Sequence, residues 1–115
     1  MIQFQAITSS SGTSVIGDSS ADWDGFNIST ASGAVTMTLP AASYQTGRIL
    51  TFVKTSSDST ALTITPAGSD TINGLTTLST TIQYAIVTLV ATYNNAGTYA
   101  WVIMQNNGFT TDTSV

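Results

Sequence analysis

Residues 85–105 read AIVTLVATYNNAGTYAWVIMQ, and their pattern decides the fold class. Two runs rich in Val, Ile, Thr and aromatic residues flank Asn94-Asn95-Ala96-Gly97, a β-hairpin signature built on residues that tolerate turns. Neither half repeats apolar positions at the three-and-four spacing of a helix. Both halves are apolar on two sides. Val87, Leu89 and Ala91 alternate with Ile86 and Val90, and Trp101 and Ile103 alternate with Val102 and Met104. Strands of this kind have to be covered on both faces.

The same texture extends outward along the chain. Strand-like runs occupy residues 2–8, 13–16, 25–29, 34–39, 48–54, 61–65, 70–72, 75–78, 82–92 and 98–105. In the fourth, Val35, Met37 and Leu39 alternate with Thr36 and Thr38, and Pro40 ends the run by removing a ladder donor. The run at 48–54 is again two-sided, through Ile49, Leu50, Phe52 and Val53. Pro66-Ala67-Gly68 turns the chain, and Asn73-Gly74 predicts a two-residue hairpin because both residues accept positive φ. The expected fold is all-β: a single antiparallel sandwich or jelly-roll-like barrel of about eight to ten short strands, with no substantial helix. With no helix to make a crossover, a parallel sheet is not expected. One β domain at residues 13–105 is expected, with an N-terminal strand or arm and its connector at 1–12 and a polar tail at 106–115.

Composition narrows the chemistry. The chain has 115 residues and no Cys, His or Glu; its six acids are all Asp, and its two cations are Arg48 and Lys54. A net charge of −4 argues against nucleic acid, whose binding rests on clustered Lys and Arg displacing counterions. No apolar run reaches the length of a membrane-spanning helix. The N-terminus lacks the basic start and apolar stretch of a secretory leader, so a small protein made in a cytoplasm is expected. Hydroxyl nucleophiles abound, but no His activates them, and Lys54 beside Ser56 and Ser57 reads as a solvated strand end. Asp18, Asp22 and Asp24 are close in sequence but lack the terminal Glu of a calcium loop. No catalytic residue, metal or cofactor is expected, and the chain does not read as an enzyme. Asn27-Ile28-Ser29 matches the glycosylation pattern without any sign of secretion. Tyr84, Tyr99 and Trp101 read as packing residues, whereas Trp23 and Tyr44, in polar loops, are the candidate ligand contacts.

Three segments carry a resemblance. VTMTLPAAS (35–43), TGRILTFVKTSSDSTALTITPAGSDTINGLTTLS (46–79) and YAIVTLVATYNNAGTYAWVIMQ (84–105) together resemble a β-rich module of tailed-bacteriophage virion proteins. The shared pattern is a TLPAA strand end, a GR-led strand into V-K, a strand ending at P-x-G, a D-x-I-x-G hairpin and a final Y-W-V-I hairpin. The resemblance implies a homotrimer on the outer surface of a virion. The absence of a long shaft or heptads favours a capsid decoration (cement) protein bound to the major capsid protein. The alternative is a receptor- or carbohydrate-binding fibre module. The two-sided strands independently point either to a neighbouring subunit, with Val87, Leu89, Val102 and Met104 as oligomer-interface candidates, or to the centre of a tightly closed barrel with loops folded over them. Residues 2–7 precede a flexible polar connector. They are expected either to pair within the chain's own sheet or to act as an arm adding to a capsid sheet edge, with Ile2, Phe4 and Ala6 filling its pockets.

Overall fold

The computed structural model describes residues 4–7, 12–15, 25–44, 46–93 and 98–111. Ten strands follow one another: β1 (Phe4–Ile7), β2 (Gly12–Val15), β3 (Gly25–Ile28), β4 (Val35–Thr38), β5 (Ile49–Lys54), β6 (Leu62–Thr65), β7 (Leu78–Thr80), β8 (Ile86–Tyr93), β9 (Tyr99–Asn107) and β10 (Thr110–Thr111). A single 3-10 turn at Ala42–Tyr44 is the sole helical element among the described residues. Sheet I has the order β1-β3-β5-β8-β9, and sheet II the order β10-β7-β6-β4-β2.

The all-β sandwich is as expected; the pairing within it is not. Through β6 the chain alternates between the two sheets, so odd strands stack on odd strands and even on even. β1–β3, β3–β5, β2–β4 and β4–β6 are all parallel. Phe4 pairs with Gly25, which pairs in turn with Thr51. A parallel connection needs a dozen or more residues of crossover, and here a strand of the opposite sheet supplies it. That strand covers the apolar face just as a helix would, which is why a parallel arrangement survives without helices. Only the second half is antiparallel, through β5–β8, β8–β9, β6–β7 and β7–β10. Among the described residues both sheets are mixed and neither closes on itself, so the purely antiparallel jelly roll and the closed barrel are both corrected.

Alternation places the core. Phe26, Ile28, Leu50, Phe52, Val87, Leu89, Ala91 and Trp101 of sheet I face Val35, Met37, Leu62, Ile64 and Leu78 of sheet II. Phe26 and Phe52 are register partners and stack, with centroids 5.3 Å apart and planes at 17°. Trp101 is wholly buried, and its indole N–H donates to the Pro40 carbonyl at 3.3 Å, the partner that a buried indole needs.

The Asn73-Gly74 turn forms as predicted, with φ of 52° and 81°, but the arms beside it are short. Ile72 and Leu75 exchange both backbone hydrogen bonds, and residues 71–73 then lie along β9: the Trp101 N–H donates to the Thr71 carbonyl and the Asn73 N–H to that of Trp101. The Ile103 N–H donates to Asn73 Oδ1 at 2.9 Å. The hairpin therefore covers part of the β9 edge, which would otherwise present unpaired groups.

Of the two alternatives for the N-terminal run, pairing within the chain's own sheet is the one seen: residues 4–7 lie along β3. Residues 106–111, expected as tail, finish β9 and form β10, and Phe109 is buried. Asn106 makes this return possible by accepting from the Phe109 N–H and donating to its carbonyl. Gly108 sits between them at φ 104°, where a Cβ would meet that of Ala85 at 2.8 Å.

Candidate interaction surfaces

Among the described residues the strands hold one charged side chain, Lys54, and it points inward. It follows Leu50 and Phe52 at the same alternation and is fully buried, so the solvated strand end is corrected. Its ammonium donates to the carbonyls of Ser56 (2.8 Å) and Asp58 (2.6 Å) and lies 3.6 Å from Asp58 Oδ1. Asp58 Oδ1 also accepts from the Thr30 hydroxyl at 2.7 Å and the Thr60 N–H at 3.0 Å. Hydrogen bonding from Thr30 above all, then from Ser56, with help from the Thr60 N–H and the Lys54 charge, holds the Asp58 carboxyl well below its ordinary range. These donors favour the charged form. The group ties the 55–60 loop to the end of β3. It is a clamp on main chain: the lysine that could have activated a serine is spent on loop carbonyls.

The outward positions of sheet I form three rows set by register. Ile49, Val90 and Val102 lie side by side across β5, β8 and β9. Thr51 and Thr88 form the next row, their hydroxyls 3.2 Å apart. Val53 and Ile86 form the third, with Asn27 beside Val53. One extra residue in β9, Met104, falls between Ile103 opposite Leu89 and Gln105 opposite Thr88. That is a β-bulge, which leaves its extra residue unpaired, and Met104 is 55% exposed.

Sheet II is finished differently. Thr36, Thr63 and Ser79 are in register across β4, β6 and β7, and the register brings Thr13 of β2 and Thr110 of β10 into the same row. Thr38 and Thr65 make a second row, with hydroxyls 3.3 Å apart. The paired Thr-x-Thr spacing in VTMT and LTIT was visible in the sequence, but its alignment depends on the parallel register.

Of the predicted interface residues, Val102 and Met104 are exposed, whereas Val87 and Leu89 are fully buried between the sheets. Those two are core residues, because the outward set on β8 is Ile86, Thr88, Val90 and Thr92. Phe4 and Ala6 sit on β1, register partners of Gly25 and Asn27. Ile2, Trp23, Asp18, Asp22 and Asp24 lie outside the described residues, and Tyr44 is placed by its backbone alone, in the 3-10 turn. Of the other aromatics, Tyr93 and Tyr99 pair across the β8–β9 hairpin edge to face, centroids 5.2 Å apart. Tyr84 is exposed in a turn instead of packing on a strand. No helix among the described residues is long and apolar enough to cross a membrane. No protein-family model matches the chain, and no curated protein matches it.

Proposed function

We propose that this protein is a non-enzymatic virion component, a decoration (cement) protein that binds the outer surface of a phage capsid as a homotrimer and bridges neighbouring subunits of the major capsid protein. One observation carries the reading: among the described residues both outer faces of the sandwich are built without a single charged strand residue. Such faces bind through shape, apolar contact and neutral hydrogen bonds, which salt screens little. The resemblance of residues 35–104 to phage virion modules supplies the class of partner. The rival, a receptor- or carbohydrate-binding fibre module, draws on the exposed Tyr84 and Tyr93.

Copy number per virion separates the two. Decoration requires hundreds of copies, and binding to undecorated capsids that persists in high salt. A handful of copies, or binding abolished by salt, overturns the decoration reading in favour of the fibre.

A further inference from the structure

We propose that the outer face of sheet I is the surface through which copies of this chain meet. The inference rests on the reading of the protein as self-associating and names the face that does it. Ile49, Val90 and Val102 form a continuous apolar row across three adjacent strands, and Val53 with Ile86 forms another. Ile49 and Val102 are 40% and 38% exposed. Contiguous apolar surface of this kind marks an interaction site more often than isolated exposed residues do.

Three features point to a second copy as the occupant. The face carries no charge, so pressing it against itself sets no like charges together, although the chain as a whole is at −4. Its polar row asks little of a partner: Thr51 is already buried within the chain and shares a hydrogen bond with the half-buried Thr88, and covering a hydroxyl that has a partner costs little. Its size is close to what an interface needs. β3, β5, β8 and β9 have 4, 6, 8 and 9 residues, and at about 4.8 Å by 3.4 Å per residue they span roughly 440 Å². Two such faces cover about 900 Å², near the lower bound for a specific interface.

Sheet II serves as the internal control. Light scattering of the full chain at micromolar concentration should give more than one chain per particle. Val90→Lys should reduce this to one, with the β circular dichroism and cooperative melt retained, while Thr63→Lys should leave the assembly unchanged. Ile49→Lys, at the exposed start of β5, gives the same test if Val90→Lys does not fold. The chain has no cysteine, so Val102→Cys carries a unique thiol. A bis-maleimide should join copies through it and should not join them through Thr63→Cys. A monomeric wild type, Val90→Lys and Ile49→Lys variants that assemble like the wild type, or cross-linking through residue 63 in place of residue 102 overturns the proposal. Assembly without capsid binding removes the decoration reading and leaves this face standing. Capsid binding by a monomer does the reverse.

Discussion

Sheets I and II share one construction and differ in their finish. In each, parallel strands stack in register, inward positions are large and apolar, and a threonine row crosses the outer face. On sheet II the neighbouring row is threonine too, through Thr38 and Thr65; on sheet I the flanking rows are Ile49-Val90-Val102 and Val53-Ile86. Threonine has the β-branched shape that a pleated strand favours, yet its hydroxyl keeps the surface wet. Isoleucine and valine provide the same backbone preference at the cost of apolar exposure. The choice at these few outward positions separates a face suited to water from one that calls for a cover, and no charge on either face is needed to make the difference.

The sharpest way to break this comparison lies within one strand. Val87 and Val90 are three residues apart on β8, the first wholly buried and the second outward and half-buried. Val87→Asp buries an unpaired charge among Phe52, Leu89 and their neighbours, and should abolish the fold, since an isolated buried charge costs far more than a small domain's stability of about 5–15 kcal/mol. Urea denaturation should show no folded baseline for Val87→Asp and a normal one for Val90→Lys. A folded Val87→Asp protein would mean that the two faces of β8 are assigned the wrong way round.

A smaller loss is expected at the clamp. Lys54→Met keeps the stem and removes the ammonium, so the Ser56 and Asp58 carbonyls lose their donor. Leaving a buried acceptor unpaired costs about 1–3 kcal/mol, and the urea midpoint should fall accordingly. Assembly through sheet I should persist, because Lys54 lies on the other side of β5. Unchanged stability would show that the 55–60 loop is held without it.

The same clamp gives a pH dependence. The Asp58 pKa is lowered in the folded protein from its ordinary value of 3.8. A lowered folded value contributes stability above the unfolded pKa and loses it as pH falls toward the folded one. The melting temperature should therefore hold steady from neutral pH to about 4, then decline toward the acid limit. Asp58→Asn should flatten that decline. A wild-type melting temperature insensitive to acid would show that the carboxylate is not engaged as described.

These positions also show what could be read in advance. Strand existence was legible because Thr, Val and Ile dominate short runs between turn residues, and Asn73-Gly74 announced its own turn. The inward direction of Lys54 was legible too, two residues after Phe52 and four after Leu50, but a lysine at a strand end is ordinarily solvated, and that expectation prevailed. The parallel stacking of β1, β3 and β5 was not legible, because it depends on register between segments with no local signal joining them. The face of β8 was ambiguous for another reason. Apolar residues occupy both its sides, and only the burial of Val87, Leu89 and Ala91 in the fold shows which side faces the core. The interface candidates Val87 and Leu89 fell on the wrong side of that ambiguity.

The smallest expected effect marks where the sheet I face ends. Tyr84 precedes β8 with φ at 67° and is 70% exposed, and its N–H donates to the Lys54 carbonyl at 2.7 Å. The left-handed region costs a bulky side chain about 1–2 kcal/mol, a cost that Asn or Gly largely avoids. Tyr84→Asn preserves the backbone hydrogen bond and should raise stability by up to about 1 kcal/mol. If the interface is confined to the outward rows of β5, β8 and β9, the variant assembles as well as the wild type. If assembly weakens while stability rises, the tyrosine ring belongs to the contact, and the strain in its backbone is maintained for binding. Light scattering and urea melts on the same samples decide between a turn residue under strain and the rim of an interface.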